Sequence, residues 1–368
     1  MALDRTALET LGWDPDWEAA FVPFAVDGVR PARVVAVHRE TAIVRDGAAD
    51  GDRPASVSGV FRFEALARSD FPAVGDWVAI GADDVISAIL PRRSVFKRMA
   101  ADSSRRGTSL DDEQIMASNI DVALLVAGLD NDFNLRRIER YLAIAMSSQI
   151  TPVVVLNKAD LADDVDGRLV AVDSIAPGVA TVAVSARTGQ GLDDLRAHLL
   201  PGTTAAILGS SGVGKSTLVN ALLGEDRQAT AEVRDSDSRG RHTTTHRELF
   251  ELPGGALLVD TPGIRALEVL GADEGVETAF DDVADIAATC RFSDCRHDGE
   301  PGCAVQAALA DGTLSPDRLA SHQKLERELA RAAREGDPRA RAEYRRKWTI
   351  VHKRVEEHMN RKYGGGTR

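Results

Sequence analysis

The sequence predicts a multidomain fold in three parts. These are an N-terminal β-barrel of the OB type, a central α/β phosphate-loop domain, and a C-terminal helical domain built on a cysteine cluster. Three observations carry this reading. Five short strand-like runs lie between residues 33 and 90; a strand, a glycine-rich turn and a helix follow one another over 205–223; and all 3 cysteines fall between 290 and 303. At 368 residues the chain exceeds one ordinary core, so several domains are expected. An apolar fraction of 43% with 28% charged residues excludes a disordered chain and a polytopic membrane protein. No apolar run reaches membrane-span length, and Met1–Arg5 has no signal-peptide pattern. A cytoplasmic monomer without membrane contact is the expectation.

The net charge of −12 argues against a nucleic-acid partner until its distribution is considered. Residues 111–312 carry 33 acidic against 16 basic side chains, whereas 313–368 carry 15 basic against 8 acidic. A second basic run, 91–106, holds Arg92, Arg93, Lys97, Arg98, Arg105 and Arg106. Basic patches therefore flank an acidic centre, which permits RNA contact through the ends.

Five segments follow in chain order. Residues 1–30 form an extension in which Trp13, Trp17, Phe21 and Phe24 recur at helical spacing, giving one short amphipathic helix and an irregular arm. Residues 31–92 form the barrel, with strands expected at 33–37, 41–45, 57–63, 76–80 and 84–90. Residues 93–114 form a basic linker. Residues 115–270 form the central domain and 271–368 the helical one.

In the central domain, Gly209-Ser210-Ser211-Gly212-Val213-Gly214-Lys215-Ser216-Thr217 has the G-x-x-x-x-G-K-[ST] spacing between an apolar strand, 205–208, and a helix, 218–223. Glycines let successive N–H groups curl around phosphate oxygens, and the helix N-terminus adds positive partial charge. Lys215 would reach the β/γ-phosphates and Ser216 would hold Mg²⁺. Upstream, the strand 152–156 ends in Asn157-Lys158-Ala159-Asp160, the N-K-x-D pattern that reads guanine. An aspartate accepts from both N1–H and the exocyclic amine, which adenine cannot match. After the next strand, Ser185-Ala186 stands where a backbone N–H meets the guanine carbonyl. Downstream, 237–247 resembles a first switch, and Asp260-Thr261-Pro262-Gly263 closes a strand, with Asp260 on the metal side and the Gly263 N–H on the γ-phosphate. Thr243, Thr244 and Thr245 compete as the switch ligand to Mg²⁺, Thr244 being preferred.

Ordinary GTPases present these motifs with the phosphate loop first and N-K-x-D and S-A last. Here the last two come first, so the domain is a circularly permuted P-loop GTPase. The D-x-x-G segment therefore runs directly into the C-terminal domain. Ile264 follows Gly263 where a glutamine orients water in Ras, the worked example for this chemistry, and an isoleucine cannot do so. His242 is the candidate to supply that polarity and His246 the runner-up.

Cys290-x₄-Cys295-x-His297-x₅-Cys303 supplies three thiolates and one imidazole, a complete tetrahedral set for one structural Zn²⁺. Beyond it, helices are expected from Ser315 to about Gly336 and over 339–359, the latter basic.

Asn157–Asp160, Gly209–Thr217, Gly240–Thr245, Asp260–Gly263 and the Cys290/Cys295/His297/Cys303 spacing together resemble the RsgA (YjeQ/YloQ) family of circularly permuted GTPases, over about residues 30–360. The resemblance implies an OB-fold, a permuted GTPase domain binding GTP/GDP and a zinc-binding C-terminal domain. It implies action late in maturation of the 30S ribosomal subunit, docked on 16S rRNA, with hydrolysis stimulated by that subunit. It also implies that a histidine replaces the missing glutamine, which falls on His242 beside Lys215. Two other readings stand beside this one: a metal-handling GTPase that passes zinc onward, and a non-catalytic RNA-binding scaffold. The intact Lys215, Ser216 and Asp160 speak against the second.

Overall fold

The computed structural model describes residues 5–26, 28–38, 41–48, 51–81, 83–99, 113–130, 132–225, 247–260, 280–292 and 295–336. The N-terminal extension is two helices rather than one: α1 (Arg5–Thr10) and α2 (Pro15–Phe21), the second capped by Asp14, whose carboxylate accepts from the Trp17 N–H at 2.9 Å. Between them Gly12 sits at φ +85 with its Cα against the Gly202 carbonyl, where an added Cβ would lie only 2.5 Å away. Trp13, Trp17 and Phe21 are buried on Trp77, with Trp13 and Trp77 edge to face at 4.7 Å. The extension is thus no loose arm but a lid on the barrel, and each buried aromatic stabilises it by about 1.5–3 kcal/mol.

The barrel comprises β1 (Arg30–His38), β2 (Thr41–Arg45), β3 (Arg53–Val57), α3 (Gly59–Glu64), β4 (Trp77–Ile80) and β5 (Val85–Ile89). The strands pair in the order β1, β2, β3, β5, β4 and close through β4 on β1, the five-stranded OB-type topology. Val34, Val44, Val78, Ile80 and Ile86 fill its interior with no exposed surface. The strand expected at 57–63 does not form: β3 ends at Val57 and a helix follows. Ser58 caps α3 by accepting from the Phe61 N–H at 3.0 Å, so 59–64 coils instead of extending.

Of the run expected as a basic linker, residues 95–99 and 113–114 are in strands, and 100–112 lie outside the described residues. β6 (Val95–Met99) and β7 (Glu113–Ser118) form an antiparallel hairpin. Arg92 makes two 2.7 Å bonds to Asp76, and Arg93 two 2.6 Å bonds to Asp14. Neither arginine is an idle surface charge.

The central domain continues with β8 (Val122–Gly128), α4 (Leu135–Ser147), β9 (Thr151–Asn157), α5 (Val165–Asp173), β10 (Ala180–Ala183), α6 (Leu192–Arg196), β11 (Thr204–Gly209), α7 (Lys215–Leu223), β12 (Arg247–Glu251) and β13 (Leu257–Asp260). Its sheet runs β10, β9, β8, β11, β13, β12, parallel except for β12. Every residue of β8 and β11 is buried, as expected for parallel strands covered on both faces. Ala123, Leu125 and Ala127 pack with Ile138 and Leu142 of α4, whereas Val122, Leu124 and Val126 pack with Leu218 and Leu222 of α7. At the far edge β12 pairs with β1, through Ala36 opposite Glu248 and Val37 opposite Arg247, so barrel and central domain share one 11-stranded sheet.

Arg33 of β1 reinforces that junction. Its guanidinium is buried among the carbonyls of Leu11, Gly75 (3.3 Å) and Asn119 (3.3 Å) and the Thr204 hydroxyl (2.8 Å), with the Trp77 ring 5.4 Å away. Burial pushes its pKa down to about 10, opposed by Asp121 and Asp76, so it stays charged at neutral pH.

In the C-terminal part, α8 (Asp281–Ala288) and α9 (Ala304–Asp311) pack on each other and α10 (Pro316–Gly336) packs on α4, and Phe280, Val283, Val305 and Leu319 join the same core as α4. The basic helix expected at 339–359 lies outside the described residues. Among the described residues no helix is long and apolar enough to cross a membrane.

Replacing Arg33 by methionine strands several buried carbonyls and should cost about 2–3 kcal/mol. The exposed Arg45–Asp52 pair should matter by less than about 1 kcal/mol in Arg45→Met. Urea unfolding followed by tryptophan fluorescence checks both, because Trp13, Trp17 and Trp77 surround the Arg33 junction.

Candidate functional site

The phosphate loop lies between β11 and α7, at the C-terminal edge of the parallel strands, the ordinary ligand position of an open α/β sheet. Val213 is buried and anchors the loop, while Ser211 and Gly212 face solvent. The Lys215 ammonium donates to the Gly209 carbonyl at 2.8 Å and to that of Ser210, which holds it across the loop's mouth. Ser216 stands in the first turn of α7. Gly214 takes φ +91, and an added Cβ there would sit 2.5 Å from the Asn157 amide nitrogen.

That contact joins the loop to the N-K-x-D segment. Asn157, 2% exposed at the end of β9, donates to the Val213 carbonyl at 2.9 Å and accepts from the Ala186 N–H at 3.0 Å. Lys158 turns into the left-handed region at φ +66, and its ammonium donates to the Gly212 carbonyl at 2.6 Å and to Asp130 at 2.5 Å. Asp160 accepts from the Ser185 hydroxyl at 2.6 Å and pairs with Arg187. The Ser185 bond, then Arg187, holds its carboxyl below the usual aspartate range, so it is an ionised acceptor at neutral pH.

The structure therefore joins Asn157, Lys158, Asp160, Ser185, Ala186 and the phosphate loop in one hydrogen-bonded cluster, from segments read in inverted order. Asp260 closes β13 beside β11. His242, Thr244 and Gly263 lie outside the described residues, as do His246 and all of the expected first switch except Arg247.

Sequence reading missed four contributors. Asp130 and Asp132, in the loop after β8, brace Lys158 and Ser210, and Arg137 of α4 joins the second contact. These residues belong to no motif and come together only through the fold. The fourth is Arg187. Ser185 N–H donates to the Gln190 carbonyl and Ala186 N–H to Asn157, so the expected donors to a guanine carbonyl are already engaged. The Arg187 N–H, one residue on, has no partner among the described residues.

A second site lies between α8 and α9. The ligand atoms of Cys290, Cys295, His297 and Cys303 all fall within 4.8 Å of one another. His297 Nδ1 is 3.6 Å from Cys290 Sγ and 3.5 Å from Cys303 Sγ, and those two sulfurs are 3.9 Å apart. Tetrahedral zinc with ordinary bond lengths requires about 3.8 Å between sulfurs and about 3.5 Å from sulfur to nitrogen. The donor set and its spacing are consistent with a closed zinc site. Glu300 shapes the turn between ligands by accepting from the N–H groups of Arg296 (2.9 Å) and Asp298 (2.8 Å).

A family profile described as RsgA GTPase matches residues 89–270. The small ribosomal subunit biogenesis GTPase RsgA of Opitutus terrae is 49% identical over 94% of this chain and 96% of its own length. The protein of the same description from Streptomyces coelicolor is 42% identical over 94% and 93%. The crystal structure of YjeQ from Thermotoga maritima covers 82% of this chain and 99% of its own, with 29% identity and a TM-score of 0.59. The structure of YloQ, described as a circularly permuted GTPase, covers 83% and 96% at 23% identity with a TM-score of 0.57, a likeness of fold.

Gly214→Ala tests the pocket directly. The left-handed backbone and the collision with Asn157 should lower affinity for a fluorescent GDP by about ten- to a hundredfold, measured by titration.

Proposed function

Because this chain belongs to the RsgA family of small-ribosomal-subunit biogenesis GTPases, we propose that its GTP pocket is the one framed by the phosphate loop and the ends of β9 and β10, and that it turns over GTP while docked on the 30S subunit late in maturation. The observation that carries this is the Asn157 amide, which ties the phosphate loop to the base-reading loops in one rigid frame.

In this reading Asp160 accepts from guanine N1–H and the exocyclic amine, exchanging its partner Arg187 for the base, and the Arg187 N–H donates to the guanine carbonyl. The N–H groups of residues 210–216 surround the β-phosphate. Lys215 leaves the loop carbonyls for the β/γ oxygens, where it offsets charge that grows in the transition state. Ser216 and Thr244 are the residues that would hold Mg²⁺, which supplies further charge stabilisation at the phosphates, and Asp260 supports that side. His242 is assigned to orient the attacking water, because Ile264 has no polar atom for the task. The chain then passes from Gly263 into the C-terminal domain, so a γ-phosphate contact there bears on whatever that domain touches.

The Cys290/Cys295/His297/Cys303 set holds one structural Zn²⁺, with no ligand position left over for transfer or catalysis. The barrel and the basic tail are assigned to 16S rRNA, through phosphate contacts whose strength falls with salt.

Turnover of GTP by the full chain should rise on adding purified 30S but not 50S subunits, and Lys215→Ala should abolish it. Equal responses to the two subunits would refute the docking assignment. Cys303→Ser, or chelation, should remove one bound zinc and expose 280–336 to proteolysis while leaving GDP binding intact. Metal analysis beside limited proteolysis measures this.

A further inference from the structure

Helix α4 touches the phosphate loop and the C-terminal domain through neighbouring residues of its first turns. Asn134 caps the helix, accepting from the Arg137 N–H at 3.2 Å. The Arg137 guanidinium donates to the Ser210 hydroxyl at 2.8 Å and to Asp132 at 2.6 Å, and the Ser210 hydroxyl itself donates to Asp132 at 2.5 Å. Ser210 is the second residue of the phosphate loop. Its side chain is thereby held in a closed triangle with a guanidinium and a carboxyl group, the strong class of hydrogen bond.

On the same helix, Glu139 is 4% exposed and accepts from Arg318 of α10 at 2.7 Å, and its other carboxylate oxygen has no partner among the described residues. Arg318 also donates to Asp282 of α8 at 2.8 Å and lies 4.2 Å from the Phe280 ring centre. Arg136, beside Arg137, pairs with Asp317. A buried carboxylate is costly to leave unpaired, so the Arg318–Glu139 pair ties α4 to α10 two residues along from Arg137.

We infer that Arg137 is a positioning residue for GTP hydrolysis: through Ser210 it sets the backbone of the phosphate loop, and the Arg318–Glu139 pair of the docked C-terminal domain sets Arg137. Nucleotide is held by many groups, the guanine contacts included, whereas the reacting phosphoryl group depends on loop placement to a fraction of an ångström. Loss of the clamp therefore appears in kcat more than in affinity. This coupling is separate from the covalent route through Gly263. It rests on Gly209–Thr217 being the phosphate loop of the proposed function.

The test uses the full-length, zinc-loaded chain, with GTP turnover at saturation and titration of a fluorescent GDP. Arg137→Ala should lower kcat by about ten- to a hundredfold, with GDP affinity held within about threefold. Arg137→Lys should recover part of the loss, and Ser210→Ala should reproduce it. Glu139→Gln should move kcat the same way with Arg137 intact, and the double variant Arg137→Ala/Glu139→Gln should be no slower than Arg137→Ala alone. Unchanged kcat in Arg137→Ala and Arg137→Lys, a loss confined to affinity, or full additivity in the double variant would each overturn the inference. Lys215→Ala in parallel separates the two readings. If it turns over GTP normally, the phosphate-loop assignment itself has failed; if it is inactive while Arg137→Ala is normal, only the positioning role has failed. Should Arg137→Ala melt early, Arg137→Lys and Glu139→Gln decide the question alone.

Discussion

The Asn157 carboxamide uses both of its ends in a place where water cannot replace either partner: its NH₂ on the Val213 carbonyl, its oxygen on the Ala186 N–H. A buried amide left half-satisfied costs about 1–3 kcal/mol, so the phosphate loop and the base-side loop are held in one relative position or the frame weakens. The sheet beneath makes that position possible. Gly128 lies opposite Asn157 and Gly209 opposite Val126, so β8, β9 and β11 end nearly level and their loops meet. These contacts run across strands, not along the chain. Reordering the segments therefore leaves the pocket intact, and changes only what each loop is joined to next.

What the loops are joined to differs on the two sides of the pocket. The base side ends within the domain, at α5 and α6. On the other side, β12 emerges from 226–246 and pairs with β1 of the barrel, while β13 leads through 261–279 to α8. Arg33 strengthens the barrel connection, because it bonds Thr204 at the start of the very strand that ends in the phosphate loop. Both neighbours of the central domain are thus attached at its phosphate half, and a rigid body bound to the barrel or to α10 acts on that half first.

Much of this was legible in the sequence where the signal is local. Buried parallel strands show as unbroken apolar runs, as in 122–128; the phosphate loop carries its own spacing; and three cysteines with one histidine in 14 residues admit few alternatives. Misreadings arose where the deciding partner is distant or brief. Val57, Phe61 and Phe63 fit a strand as well as a helix over so short a window, and only the Ser58 cap with the short β3–β5 pairing separates them. The spacing of Trp13 and Trp17 gave a helical face, yet the surface that receives it, Trp77, is some 60 residues away. Asp132, Arg137 and Ser210 have no common pattern in one dimension.

The basic run at 91–106 shows why a charge count alone does not locate an RNA surface. Arg92 and Arg93 are adjacent and chemically identical, but their carboxylates differ. Asp76 is fully buried and also accepts from the Ser118 hydroxyl at 2.5 Å, so removing Arg92 would leave an ion without solvent, at a cost of about 3–5 kcal/mol. Arg92 is committed to the fold. Asp14 is 40% exposed in its side chain, and pairs of that kind contribute about 0–1 kcal/mol. Water can take over when Arg93 leaves, although Arg93 also lies 4.0 Å from the Trp17 ring centre. A phosphate oxygen offers Arg93 the same geometry as Asp14, without a desolvation barrier to overcome. Of the two, Arg93 is the one able to exchange an internal partner for an external anion, and it stands where the N-terminal lid meets the barrel.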